Sequence, residues 1–119
     1  MTTRSDCHLD TADEFLGKAR AYLEEGDLLQ ASEKGWGAAA RTVKAVAEHR
    51  GWRNSTHGHL FGVVDRLVDE TGEVELRDFF GAANELHQNF YEGHMSVAWV
   101  AQNLDRVEAL VVRLRGLLG

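Results

Sequence analysis

The sequence predicts an all-α fold, an up-and-down bundle of four to five antiparallel helices. The 119 residues include no proline, which would interrupt helix interiors. Hydrophobic residues make up 44% and charged residues 27%, as in soluble globular domains, and the apolar residues recur at helical spacing. At this length we expect one domain, in which residues 10–119 form the bundle and the polar, aperiodic residues 1–9 form a flexible N-terminal arm.

The first two helices are predicted from their capping residues. Thr11 and Glu14 have the spacing of a capping box and precede or open a helix over about residues 12–25. Asp27 is predicted to cap a second helix over about residues 28–50, because a side-chain oxygen at that position accepts a backbone N–H of the first turn.

Small residues crowd the middle of the second helix. Gly35, Gly37 and the alanines at 38–40 surround Trp36. Glycine in a helix interior costs about 1 kcal/mol relative to alanine, a cost most easily tolerated where another backbone must come close. We therefore expect a neighbouring helix, from this chain or from a partner, to cross at this position.

Three more helices complete the predicted bundle. A loop over residues 51–59 is rich in Gly, Asn, Ser and Thr and precedes a helix over about 58–71. A fourth helix is predicted over about 73–92, and a fifth, capped by Ser96, over about 97–118. The fifth helix carries a long apolar stripe.

Charge and cysteine content limit the classes of partner. Thirteen basic and nineteen acidic residues give a net charge of −6, which disfavours non-specific binding to nucleic acid or to an anionic membrane. A local basic surface would have to come from Arg41, Lys44, Arg50 and Arg53. A single cysteine, Cys7, excludes an internal disulfide and favours a cytoplasmic location. No apolar run approaches the roughly 18–20 residues that cross a bilayer, so no membrane partner is expected.

The fourth helix ends in the sequence ELHQNFYEGH, which concentrates side chains capable of chemistry. Asn84, His87, Gln88 and Tyr91 follow i, i+3, i+4, i+7 spacing and share one side of the helix. His87 lies beside the apolar stripe and should be at least half buried. Two interpretations are open: a histidine at the edge of the core with satisfied ring nitrogens, or a site in which His87 acts as acid, base or ligand beside Tyr91 and Glu92.

The sequence THGH supplies two further histidines, His57 and His59. They could bind a metal together with a third ligand such as Glu92 or His87, but two histidines alone are a weak signal. We expect no metal and no cofactor. The sequence also lacks the phosphate-binding and nucleophile motifs GxxxxGK[ST], GxGxxG and GxSxG.

Three segments together resemble a known family. The segments GDLLQASEKGWGAAARTVKAVAEHRGW, HGHL and FFGAANELHQNFYE are similar to the PaREP1-type helical proteins of archaea and bacteria, which belong to the HEPN superfamily. The resemblance covers about residues 14–115. It implies a bundle of four or five helices, commonly dimeric, in a superfamily that includes RNA-cleaving toxins, toxin–antitoxin components, partners of nucleotidyltransferases and many proteins of unknown activity.

The resemblance identifies candidate surface residues in this chain, but no catalytic motif in the expected place. RNA-cleaving members have an arginine, four to six residues, and then a histidine near the last helix. Arg53 with His59, and Arg50 with His57, match that spacing but lie between the second and third helices, which argues against ribonuclease activity. Together with Asn84, the candidate site residues are Glu33, Lys34, Trp36, His57, His59, His87, Asn89, Tyr91 and Glu92.

Several functional hypotheses follow. The favoured one is a non-catalytic, HEPN-like binding or assembly module, a homodimer whose polar pocket at the end of helix four holds a nucleotide, RNA, another small ligand or a partner protein. Its dimer contact would use the small-residue face of the second helix or the apolar stripe of the fifth. The alternative is a HEPN-type ribonuclease or toxin–antitoxin component; a metal-organised or hydrogen-bonded site of unrelated chemistry is a third. Whether any reaction is catalysed is left open by the residues alone.

Overall fold

The second of five helices lies at the centre of the structure and packs against the other four. The computed structural model describes residues 3–118, and within that range every regular element is helical, which confirms the all-α prediction. The helices are α1 (Arg4–Glu25), α2 (Leu28–Arg50), α3 (His57–Thr71), α4 (Glu75–Glu92) and α5 (Val97–Gly116). None of the helices within residues 3–118 combines the length and hydropathy that crossing a bilayer requires.

Capping side chains start α2, α3 and α5. Asp27 accepts the backbone N–H of Gln30, and Ser96 accepts that of Trp99, so the predicted starts of α2 and α5 are confirmed. α3 begins at His57, one residue before its predicted start, because Thr56 provides the cap. The first four helices each end at a glycine in the left-handed conformation, which side chains with a Cβ rarely adopt.

The start of α1 was predicted wrongly. The helix begins at Arg4 rather than at residue 12, and its capping box is formed by Thr3 and Asp6. Residues 4–9 are therefore helical and not the flexible arm that their polarity suggested, whereas residues 1 and 2 lie outside the described range. This first part of α1 lies along α2, where the Ser5 hydroxyl donates a hydrogen bond of 2.8 Å to the carbonyl of Ala45.

The small residues of α2 allow close helix packing, as predicted, and the neighbours come from the same chain. A Cβ added at Gly35 would lie 2.5 Å from Cδ2 of Leu104 in α5 and 3.0 Å from Cδ1 of Leu86 in α4. A Cβ at Gly37 would lie 2.8 Å from Cδ2 of Phe15 in α1. α4 and α5 thus approach α2 on the side of Gly35, and α1 approaches it on the side of Gly37, about 200° away around the helix.

Both surfaces that the sequence suggested for a dimer contact are occupied within the chain. α4 and α5 cover α2 at Gly35, and α1 covers it at Gly37. The apolar stripe of α5 lies in the core, with Val100, Leu104 and Val107 fully buried. A homodimer would have to use another surface.

Candidate functional site

Five side chains from three helices meet at the surface and form what we call the aromatic–histidine cluster. Glu33 and Trp36 come from α2, His57 is the first residue of α3, and His87 and Tyr91 come from α4. The pairs on α2 and α4 are three and four residues apart, so each pair lies on one helix face. All five belong to the candidate set obtained from the sequence.

The rings of the cluster contact one another in a connected arrangement. The imidazole of His57 stacks on the indole of Trp36, with centroids 4.8 Å apart and planes inclined by 9°. The ring of His87 lies 5.0 Å from that of Trp36 and 5.2 Å from that of His57. Tyr91 meets His87 edge to face at 5.4 Å. Trp36 is only 7% exposed and packs on Phe80 in the core, whereas Tyr91 is 73% exposed. The cluster is therefore anchored in the core at Trp36 and open to solvent at Tyr91.

His87 is also held by a carboxylate. Its Nδ1 atom lies 3.0 Å from Oε2 of Glu33, and the two side chains are 22% and 31% exposed. An ionised carboxylate only accepts hydrogen bonds, so Nδ1 of His87 is the donor. In the neutral imidazole this leaves Nε2 as an acceptor, and the ring orientation is fixed by Glu33.

Three of the remaining candidate residues on α2 and α4 lie outside these contacts. The Lys34 ammonium lies 4.6 Å from the centroid of the Phe15 ring, on the side of α2 that faces α1. Asn84 is half-buried one turn before His87. Glu92 lies within 3.4 Å of Nδ1 of His94.

Asn89 stabilises the fold and is not accessible at the surface. Its side chain is buried, its Nδ2 donates to the hydroxyl of Ser32 at 2.9 Å, and its Oδ1 accepts the backbone N–H of Met95 at 2.9 Å. Asn89 therefore joins α2, α4 and the turn before α5.

A groove also lies at the end of α4, formed by a different set of residues. The groove has a volume of about 500 Å³. Of the candidate residues only Glu92 lines it; the other lining residues are Glu85, Gln88, His94, Met95, Ser96 and Trp99. Trp99, 57% exposed, was missed from the sequence, although its place off the apolar stripe of α5 was a usable signal.

His59 lies in a second groove, separate from the cluster, which we call the basic groove. Residues 57 and 59 belong to the first turn of α3 and not to a loop, so their side chains diverge by about 200° around the helix. The groove, of about 450 Å³, is lined by Gly51, Trp52, Arg53, Gly58, His59, Gly62, Val63 and Arg66.

This divergence bears on the metal and ribonuclease hypotheses. Among residues 3–118 no group of three or more His, Cys, Asp or Glu side chains is placed to hold a metal ion. Of the two arginine–histidine pairs with the spacing of RNA-cleaving relatives, Arg53 and His59 share the basic groove. The guanidinium of Arg50 is instead bound by Glu70.

Comparison with known proteins supports the fold and gives the family. A crystal structure of a protein from Sulfolobus solfataricus superimposes with a TM-score of 0.81 and 23% sequence identity, covering 92% of this chain and 97% of that one. At this identity the likeness shows the fold alone. No protein of curated function is significantly similar to the chain. The sequence model of the archaeal PaREP1/PaREP8 family matches residues 7–111, and the chain therefore belongs to that family.

Proposed function

We propose that the chain is a non-catalytic helical binding module whose aromatic–histidine cluster binds a planar, hydrogen-bonding ring of the nucleobase type. The observation that carries the proposal is the connected set of rings, which is open to solvent on one side. His57 and Tyr91 are exposed; the buried Trp36 contacts His57 directly and is connected to Tyr91 through His87. Stacking of a base on an aromatic side chain contributes about 1–3 kcal/mol and tolerates different bases.

The polar members of the cluster favour a ring with its own donors. Glu33 supplies carboxylate oxygens and His87 supplies a ring nitrogen, next to the stacked rings. A nucleobase edge presents N–H and ring-nitrogen groups that pair with such partners. The net charge of −6 and the absence of lysine and arginine from the cluster favour a small ligand over a long polyanion.

Calorimetric titration of the purified chain with the four common nucleosides tests this proposal. We expect saturable binding of at least one nucleoside, weakened about tenfold in His57→Ala because one stacking ring is lost. His49→Ala, which removes an exposed histidine at the end of α2, is the matched control and should bind like the wild type. No binding of any nucleoside, or equal binding by His57→Ala, would overturn the proposal.

One observation favours a second function, acid–base catalysis of the HEPN ribonuclease or toxin–antitoxin type. The hydrogen bond that His87 donates to Glu33 orients the imidazole as carboxylates orient general-base histidines, and His57 offers a second imidazole 5.2 Å away. In that reaction His87 would take the proton of an RNA 2′-hydroxyl. The 2′-oxygen would attack phosphorus and displace the 5′-oxygen, which would receive a proton from His57.

Cleavage of labelled RNA separates the two functions. The binding proposal expects no cleavage by wild type, with or without EDTA. Cleavage that is lost in folded His87→Ala or His57→Ala, but kept in His59→Ala, would replace it with the catalytic function. Loss of cleavage in His59→Ala instead would place the reaction in the basic groove. Inhibition of cleavage by EDTA would show that a metal ion takes part.

Assembly, location and superfamily are part of the same proposal. We assign the chain to the HEPN superfamily on the resemblance of its motifs and to the cytoplasm on its lone Cys7. A homodimer is proposed through a surface other than α2 or the α5 stripe, because α1, α4 and α5 already cover α2, and α2 and α4 cover the α5 stripe. Light scattering tests the dimer against the 13.3 kDa monomer.

A further inference from the structure

The basic groove is positively charged, whereas the chain as a whole is negatively charged. Arg53 and Arg66 both line it, and among the described residues neither arginine forms an ion pair with a carboxylate. The neighbouring Arg50 is neutralised by Glu70. The groove thus concentrates two uncompensated positive charges in a chain of net charge −6.

One of these arginines is held in place by an aromatic ring. The guanidinium carbon of Arg66 lies 3.9 Å from the centroid of the Trp52 indole, and that of Arg50 lies 5.2 Å from it. A guanidinium held over an aromatic face keeps the N–H donors at its edges free and loses less freedom on binding an anion. Arg66 is therefore oriented before any ligand arrives.

His59 adds a third donor. The backbone N–H of Ser55 donates to Nδ1 of His59 at 3.2 Å, so Nδ1 is unprotonated and the hydrogen of the neutral imidazole is on Nε2. A Cβ added at Gly62 would meet nothing within 4 Å, and one at Gly58 would meet only the Thr56 hydroxyl at 3.8 Å. The groove wall is bare at both glycines.

We propose that the basic groove binds a phosphate group, through Arg53, Arg66 and His59. Two guanidinium groups and an imidazole N–H are donors only, and phosphate oxygens are acceptors that guanidinium groups bind in a bidentate manner. The groove and the aromatic–histidine cluster flank the same turn of α3, because His57 and His59 are two residues apart. Nucleotides would then bind by the ring at the cluster and by the phosphate at the groove, on opposite sides of this turn, an extension that rests on the proposed function.

Indole N–H signals of the ¹⁵N-labelled full chain provide the test, because Trp52 lies in the basic groove and Trp36 in the cluster. Inorganic phosphate is added at constant pH and ionic strength, with sodium chloride as the matched salt. We expect a saturable shift of the Trp52 signal with phosphate and none with chloride. Arg53→Gln should weaken phosphate binding about tenfold, since it removes a charged hydrogen-bond donor.

Two further variants keep the result interpretable. Arg77→Gln removes an exposed arginine that pairs with Asp65 outside the groove, and it should leave phosphate binding unchanged. Arg66→Lys keeps the charge without the planar donor pair and should weaken binding less than Arg66→Gln does. The proposal is overturned if phosphate gives no saturable shift, or if folded Arg53→Gln and Arg66→Gln bind phosphate as the wild type does.

A nucleoside and its 5′-monophosphate complete the test. If the groove and the cluster both bind, the nucleoside shifts Trp36 alone and the monophosphate shifts Trp36 and Trp52. If phosphate shifts Trp52 while the nucleoside shifts nothing, phosphate binding by the basic groove is supported and the proposed function fails. If the nucleoside shifts Trp36 while neither phosphate nor monophosphate shifts Trp52, the groove proposal fails alone.

Discussion

Replacing Gly35 by alanine should change the free energy of unfolding in opposite directions, depending on the residue at position 104. The added Cβ would lie 2.5 Å from Cδ2 of Leu104, a side chain with no solvent exposure. Overpacking of this kind costs about 1–3 kcal/mol. Alanine is favoured over glycine in a helix interior by about 1 kcal/mol, so we expect a net loss of about 1 kcal/mol.

The sign should reverse in a Leu104→Ala background. Leu104→Ala alone should lower the free energy of unfolding by about 2–5 kcal/mol, because it leaves a cavity beside Gly35. Gly35→Ala then no longer meets Cδ2 of residue 104, although Cδ1 of Leu86 remains 3.0 Å away. The helix preference for alanine should therefore give a gain of about 0.5–1 kcal/mol, a coupling of more than about 1 kcal/mol between the two sites.

Urea unfolding of the four proteins in this double-mutant cycle measures the coupling. Gly17→Ala in α1 is the matched control, because a Cβ there would meet nothing within 4 Å. It should stabilise wild type and Leu104→Ala equally, by about 0.5–1 kcal/mol. A Gly35→Ala effect of the same size and sign in both backgrounds would refute the packing inferred for α2 and α5.

Three further variants test other parts of the fold. Asn89→Ala should lower the free energy of unfolding by about 2–4 kcal/mol in urea, because its buried partners lose their hydrogen bonds. Ser96→Ala should cost about 1 kcal/mol through loss of the α5 cap, and an unchanged urea midpoint would contradict that capping role. Burial, and then the charge of Arg41, lower the pKa of His8 in the folded chain below 6.5. As the pH falls, His8 is therefore protonated in the unfolded chain before it is protonated in the folded chain. Stability should therefore fall as pH drops through about 6.5, less steeply in His8→Gln than in the control His49→Gln; equal slopes would contradict this.

The sequence was sufficient for most of the fold because capping and apolar spacing are local signals. Asp27 and Ser96 act as the predicted caps of α2 and α5. The first part of α1 could not be predicted in the same way. Its residues are mostly polar, and the contact that fixes Ser5 reaches a carbonyl 40 residues away. Local periodicity carries no information about such a contact.

The candidate site was predictable residue by residue but not as an arrangement. The chemistry-bearing side chains of α2 and α4 were visible in the sequence, yet Glu33 and His87 are 54 residues apart and only the packing of the helices brings them together. Asn89, two residues after His87, points into the helix interface and serves the fold. Arg66 was missed because its significance depends on Trp52, which lies on a different element.

The most direct test of the central claim is the indole N–H spectrum of the ¹⁵N-labelled chain during titration with a nucleoside. Each tryptophan reports on a different surface: Trp36 on the aromatic–histidine cluster, Trp52 on the basic groove and Trp99 on the groove at the end of α4. The binding-module proposal predicts a saturable shift of the Trp36 signal, with Trp52 and Trp99 unchanged. A nucleoside that shifts Trp52 or Trp99 but leaves Trp36 unmoved, or that shifts none of the three, would contradict it.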